Sequence, residues 1–526
     1  MELAAGGARL IGAESNAVFR LAALVSLGGF VFGYDAVVIS GAAPAVVAQF
    51  GLTDWQMGWI VSAPTLSAMF ASLAAGYLSD RFGRRTMLRF AAALYIVSSC
   101  LSALASGFLS LSIARAIGGI AFSSLVIAPV YLAEISPSAA RGRVVSMHQL
   151  AIVLGLSAAY FSNVSLQALS ESGQAWVAWV GIDREAWRWM LGIELIPAVS
   201  WLLALSLWVP ESPRWLVQTG RTDAARRILS RLYPSERADE ILNRVNDVAV
   251  TTRTRLCNSL VWLASPLMRK ALLIGLIVGI AQQITGVNAI YFYAPVVFEQ
   301  TGVGANAALF QAALIGLTNV VFTIIAMSLV DRIGRKPLLL LGLAGVGLST
   351  MIVALAFSFA TYHIDAGILA GASPALQAID LSALHGEYFQ SDVDFKNALI
   401  GEMGAELYRT HQSELLRIGI EMNAGLILTG ILVFVASFAV SLGPVTWVFL
   451  SEIFPNAVRG TAIALVAFVN GLVSFSVQLV FPAELATFGA SVTFLFYGAA
   501  ALFFFILVAV LVPETRGRNL ESINEG

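Results

Sequence analysis

Residues 76–85 end in Asp80-Arg81-Phe82-Gly83-Arg84-Arg85, and this ending returns as Asp331-Arg332-Ile333-Gly334-Arg335-Lys336. A second signature is also duplicated, in the same order. Glu134-Ile135-Ser136-Pro137 with Arg141-Gly142 returns as Glu452-Ile453-Phe454-Pro455 with Arg459-Gly460. Pro210-Glu211 and Pro513-Glu514 form a looser third pair. Each copy stands where a long apolar run stops. Duplicated charged helix ends in a hydrophobic chain point to a membrane protein made of two similar halves.

Composition agrees. The chain has 526 residues, of which 58% are hydrophobic and 12% charged, with mean hydropathy +0.81. Soluble domains carry about 25% charge, so an ordinary soluble enzyme is excluded. A net charge of -1 implies no nucleic-acid partner. Cys100 lies in an apolar run and Cys257 in a basic stretch, so two free thiols are expected rather than a disulfide. No cleavable signal peptide is expected, because the first apolar run reads as a membrane helix.

A bilayer crossing takes about 20 apolar residues. Twelve runs qualify: 18–42, 55–79, 86–106, 108–133, 144–166 and 188–209, then 270–297, 308–330, 337–361, 423–451, 461–485 and 489–512. The fold class expected is an all-α integral membrane protein with 12 transmembrane helices in two pseudo-symmetric six-helix bundles. The bundles are expected at 1–214 and 263–512, joined by a cytoplasmic helical linker at 215–262 and followed by a tail at 513–526. In the linker, Thr222 and Ser235 are expected to cap helices at Asp223–Leu232 and Glu236–Val248, forming a latch against both halves. Basic residues fall after the even-numbered runs and in 214–270, while the short loops 43–54, 104–112 and 298–307 hold none. Both termini are therefore expected in the cytoplasm. In the first half the two signatures start at 80 and 134, in the second at 331 and 452, an interval more than twice as long. The excess is an acidic insert at about 363–420 on the outer side, in which no chemistry is read.

The motifs resemble those of the sugar porter family of the major facilitator superfamily. They are Gly76–Arg85, Pro210-Glu211-Ser212-Pro213-Arg214, Gln282-Gln283 with Gly286 and Asn288, and Pro513-Glu514-Thr515 with Gly517-Arg518. The likeness covers the chain outside the insert and is nearest to bacterial proton-coupled monosaccharide symporters of the xylose and hexose type. It implies alternating access, a neutral sugar or polyol as substrate, protons as the coupling ion, a monomeric functional unit, and the bacterial inner membrane as location. No enzyme activity, metal or cofactor is expected: there are four His, none in metal-ligand spacing, and no Gly-x-Ser-x-Gly elbow.

Ionisable residues inside membrane runs are costly and usually functional. Here they are Asp35, Arg115 and Glu194. A buried carboxylate alone holds a proton, whereas beside an arginine it releases it. The resemblance makes Asp35 and Arg115 the coupling pair, with Glu194 assisting. Facilitative relatives often carry Asn where this chain has Asp35, so symport is favoured over a facilitative uniporter; a non-transporting sugar sensor is the other alternative.

The seventh run holds Gln282, Gln283, Asn288 and Tyr293. On a helix of 3.6 residues per turn, Gln282 and Asn288 fall on different faces. Gly286 and Pro295 permit a break that would aim both at one ligand. Uncharged amides suit sugar hydroxyls, offering donors and an acceptor. By resemblance, Gln149, Asn319 and Trp447 join the substrate site, with Phe32 lining it. Asn470-Gly471 replaces a Gln-Trp pair of xylose-transporting relatives, which puts the accepted sugar in doubt. The resemblance also implies a cytoplasmic gate built from Asp80, Arg81, Arg84, Arg85, Glu134, Arg141 and Glu211 with Asp331, Arg332, Arg335, Lys336, Glu452, Arg459 and Glu514. Arg84 or Arg85 can meet Glu134 or Glu452. Asn163-Val164-Ser165 fits a glycosylation pattern by chance.

Overall fold

The computed structural model describes residues 2–137, 140–234, 238–240, 242, 266–455 and 458–516. Helices long and apolar enough to cross a bilayer follow the expected order: α1 Ala17–Phe50, α2 Asp54–Phe82, α3 Arg84–Ala103, α4 Phe108–Ile135, α5 Gly142–Ser170, α6 Ala186–Leu207, α7 Met268–Glu299, α8 Ala305–Val330, α9 Arg335–Ser358 and α10 Ala424–Ile453. The last stretch, Arg459–Leu511, turns at Gly489 (φ 79°) and supplies both α11 and α12. Glycine takes this backbone without steric cost, so an apolar stretch with no polar loop still reverses direction. In lipid every backbone polar group must be satisfied within the protein, and helices do this residue by residue.

Four helices are interrupted: α4 at Phe122–Ser123, α6 at Ile193–Glu194, α7 at Gly286 and α10 at Ser441. Between α1 and α5 glycines let the backbones touch. A Cβ on Gly33 would stand 1.9 Å from the carbonyl oxygen of Ile152, and one on Gly155 would stand 2.0 Å from that of Phe30. Small residues at such crossings allow the close packing that drives helix association in lipid.

The apolar core divides unequally. One cluster holds the signature side of the first half and the start of the linker, from Val18 and Leu88 to Trp215 and Leu229. The other joins the far ends of α1 and α2, such as Val46 and Ile60, to the whole second half. Among the described residues, hydrogen bonds between the halves lie at mid-membrane or on the far side. Tyr160 Oη donates to the Tyr291 carbonyl (2.5 Å), Thr65 to Gln478 Oε1 (2.9 Å) and Asn306 to Glu171 (2.8 Å). The molecule is thus sealed on the side opposite the charged signatures.

The insert is an ordered cap. Strands β1 Thr361–His363, β2 Tyr388–Phe389 and β3 Ile420–Glu421 form an antiparallel sheet in the order β2-β1-β3. Because β1 leaves α9 and β3 enters α10, their pairing closes the excursion at its root. Helices Asp392–Met403 and Ala405–Gly419 pack Phe395, Leu399, Tyr408 and Leu415 into a separate small core. Asp392 accepts a hydrogen bond from the Ala490 N–H (3.1 Å), clasping the cap to the α11–α12 turn. Burial pushes the Asp392 carboxyl above its usual range, against the lowering effect of that bond.

In the linker the helix spans Thr222–Leu232 with Arg221 before it and no side-chain cap; Thr222 sits in the first turn instead of capping it. Trp215 Nε1 donates to the Asp80 carbonyl (2.7 Å) and Tyr233 Oη to that of Ile135 (2.7 Å), so the described part holds the first half. Of the expected helix Glu236–Val248, residues 238–240 and 242 are described and helical, with Ala238 and Leu242 in the first-half core; the rest of it, Ser235 and Cys257 lie outside the described residues.

Candidate functional site

The break at Gly286 (φ 83°) turns the two ends of α7 so that their amides meet. Asn288 Nδ2 donates to Gln283 Oε1 (2.9 Å) and to Ser474 Oγ on α11 (2.6 Å). Gln283 Nε2 donates to Asn470 Oδ1 (3.2 Å), and Gln478 Nε2 to Ser474 Oγ (2.7 Å). This network of neutral donors and acceptors, buried at Asn470, Ser474 and Gln478 and half-buried at Gln283 and Asn288, reaches the first half through the Thr65–Gln478 bond. Polar groups at this depth line a binding cavity or join helices, and the residues divide between those roles.

Gln282 takes the joining role. It is buried, and its Nε2 donates to the carbonyl of Leu442 (2.9 Å), which the α10 interruption frees. Its Oε1 accepts from Asn470 Nδ2 (2.9 Å), which also reaches the Gly279 carbonyl (2.8 Å). Gln283 and Asn288 are only half buried and keep amide groups directed at each other and at α11.

Tyr293 is buried, its hydroxyl donating to the Gln478 carbonyl (3.1 Å). Asn319 is buried on α8 without a hydrogen bond among the described residues. Gln149 and Trp447 are exposed and share no hydrogen bond with the amide network among the described residues. Phe32 packs edge-to-face on Phe122 (4.6 Å), in the core of the first half instead of beside α7. Thr65, Ser474 and Gln478 escaped the sequence reading. Ser474 and Gln478 follow Asn470 at steps of four, one helical face, and that spacing could have found them. Nothing local marks Thr65.

Asp35 and Arg115 form an ion pair with both side chains almost wholly buried. Arg115 also donates to the Asp35 carbonyl (3.1 Å). Glu194, at the α6 interruption, is buried and interacts electrostatically with both. Asp35 Oδ2, Arg115 Nε and Glu194 Oε1 have no hydrogen-bond partner among the described residues. Such orphaned buried atoms are rare and mark functional sites or hydrated ones. Gly118 brings α4 against this carboxylate, its Cβ position being 3.0 Å from Asp35 Oδ2.

The duplicated signatures build the same device twice. Arg84 grips Glu134 through Nε and Nη2 (3.2 and 3.1 Å), and Ser212 donates to that carboxylate (2.5 Å). Arg335 grips Glu452 (2.7–3.1 Å), and Thr515 donates to it (2.6 Å). Glu211 accepts from the Arg85 N–H (3.0 Å). Glu514 accepts from the N–H groups of Arg335 and Lys336 (both 3.1 Å). These carboxylates cap α3 and α9, whose first N–H groups otherwise lack partners. Arg84 also pairs with Asp80 (2.7 Å), and Arg459 bonds the Phe454 carbonyl (3.1 Å). Among the described residues none of these pairs joins the two halves, so the expected option of Arg84 or Arg85 with Glu452 is not taken here. Each Arg reaches the carboxylate of its own half across one helix neighbour. Arg81 and Arg332 are exposed. The side chains of Arg141 and Asp331 lie outside the described residues. Asn163 is buried and donates to the Val38 carbonyl (3.1 Å), which rules out a glycan on it in this fold.

Comparison with known proteins fits this geometry. A family model described as "Sugar (and other) transporter" matches residues 21–376 and 398–526; the internal gap between the two matched stretches falls inside the cap. The arabinose-proton symporter of Bacillus subtilis is 32% identical over 97% of this chain and 94% of that protein. The D-xylose-proton symporter of Escherichia coli is 30% identical over 97% of this chain and 96% of its own. A solved inward-open structure of the E. coli xylose transporter superposes with TM-score 0.72 at 27% identity, covering 97% of this chain and 99% of that one.

Proposed function

Because the chain belongs to the sugar transporter family, whose members are multi-pass membrane transporters rather than enzymes, we propose that it carries a neutral monosaccharide or related polyol together with a proton by alternating access. The observation that carries the coupling is the buried Asp35–Arg115 pair with Glu194 beside it. Opening or closing that pair as the halves rock changes whether Asp35 holds a proton. The amides of Gln283 and Asn288 supply hydroxyl recognition at the α7 break, with Ser474 and Gln478 beside them. The activities by which relatives are named, arabinose-proton, D-xylose-proton and galactose-proton symport, support the same reading.

The Lys and Arg placement supports a cytoplasmic signature side with both termini there. The state described is then closed outward, with its signatures relaxed into pairs within each half. In the outward-facing state the same charges come together across the halves and lock the inner side. The bundles at 1–214 and 263–512 act as the rocking bodies.

The test is uptake into proteoliposomes of D-xylose, L-arabinose, D-galactose and D-glucose under an imposed proton gradient. Symport gives accumulation above the equilibrium level with alkalinisation outside. Equilibration without proton movement would identify a uniporter and remove the coupling role of Asp35.

A further inference from the structure

The cap overhangs a partly open chamber outside the amide network. Its volume is about 410 Å³, and its walls include Thr53 and Asp54 from the start of α2, Gln300 from the end of α7, and Lys396, Arg409 and Gln412 from the cap helices. The volume lies in the range of about 300–1,000 Å³ usual for small-molecule sites. The floor is aromatic: Tyr293 and Phe481, ring centroids 5.3 Å apart. Tyr293 rests on Gln478, so one aromatic layer separates the chamber from the network below.

Three features distinguish the chamber from a gap between loops. Gln300 Oε1 is buried there without a hydrogen-bond partner. Asp54, Lys396 and Arg409 form no ion pair among the described residues, so their polar groups are available. The third is how the walls are held. The cap is rooted by β1–β3 pairing and by the Asp392–Ala490 bond, both on the second half, whereas Thr53 and Asp54 belong to the first. The chamber therefore closes when the halves meet on this side and opens when they part.

Amides, a carboxylate and a guanidinium over aromatic rings make the chemistry that binds a neutral polyhydroxylated ring: the polar groups exchange hydrogen bonds with hydroxyls, and the rings cover its apolar C–H faces. We propose that the chamber is an outer holding site for the transported sugar, which captures it before the aromatic floor opens. This rests on the reading of the chain as a sugar transporter and assigns a function to the insert.

The experiment uses the full chain and whichever of D-xylose, L-arabinose, D-galactose and D-glucose is taken up. Arg409→Ala and Gln412→Ala each raise the uptake KM by about 2- to 13-fold, the range for one lost hydrogen bond, with a smaller change in kcat. Glu402→Gln, on the cap but outside the chamber, leaves both unchanged. Saturation-transfer NMR of Gln283→Ala shows residual sugar contact that adding Arg409→Ala removes. Unchanged KM in both chamber variants with transport intact, or residual contact insensitive to Arg409→Ala, overturns the holding site alone. Failure of the wild type to bind or move any of the four sugars would instead overturn the transport reading, and the holding site with it.

Discussion

Asn288 on α7 and Ser474 on α11 stand 186 positions apart in the chain, yet the amide Nδ2 lies 2.6 Å from the hydroxyl Oγ. The contact exists because Gly286 breaks α7 and redirects Asn288 toward α11. Asn288→Ala removes two hydrogen bonds at once, to Gln283 and to Ser474. Sugar affinity should fall by at least the roughly 2- to 13-fold expected for a single neutral bond, with folding largely kept. Binding isotherms check this; unchanged affinity would take Asn288 out of the site.

Asp35→Asn should abolish accumulation against a gradient while sugar exchange continues. The amide keeps the shape of the side chain but carries no exchangeable charge beside Arg115. Wild-type uptake should be electrogenic, since each charge moved gains about 2.3 kcal/mol per 100 mV. Concentrative uptake by the Asn variant, or electroneutral uptake by the wild type, contradicts the assignment.

Gly58→Ala should disfavour the closed outer side. A Cβ at Gly58 would stand 2.1 Å from the carbonyl oxygen of Leu479, backbone against backbone between the halves, so α2 and α11 must part. A thiol probe placed at the chamber mouth should label faster in this variant. Equal labelling rates would show that the contact is not required for closure.

The two Arg–Glu forks should differ in strength. Arg84 and Glu134 are each 6% exposed, whereas Arg335 and Glu452 are 12% and 29% exposed. Breaking a buried pair costs roughly 3–5 kcal/mol, while exposed pairs contribute about 0–1 kcal/mol. Double-mutant cycles on thermal unfolding should give the larger coupling for Arg84–Glu134. An Arg84–Glu452 cycle should give none in the state described.

Glu514 sets a pH dependence. Burial raises its carboxyl, but hydrogen bonds from the N–H groups of Arg516, Arg335 and Lys336 outweigh this and hold it below its ordinary value. A depressed folded value contributes stability above the unfolded value, and that contribution is lost as pH falls toward the folded one. The stability gap between wild type and Glu514→Gln should therefore be full at neutral pH and close in acid, below the ordinary carboxylate range. A gap that widened in acid would reverse the sign.

The sequence determined what is local or repeated along the chain. Twelve apolar runs, the duplicated signatures at their ends, Gly286 in the seventh run and three ionisable residues inside the membrane needed only composition, spacing and order. Lipid leaves few ways to satisfy a backbone, so hydropathy alone nearly fixes the architecture. Tertiary structure decided which partner each polar group takes. Arg84 could face Glu134 or Glu452 with equal chemistry, and the distance between helices chose Glu134. Gln282 and Gln283 are adjacent and identical and both touch Asn470, yet only Gln282 caps the broken α10 and only Gln283 meets Asn288, because they point to different sides of α7. The acidic insert carried no motif to read, and only its folding set Lys396, Arg409 and Gln412 around one cavity with Thr53 and Asp54. Such choices depend on separations of a few ångströms between residues far apart in the chain, and no periodicity or motif records them.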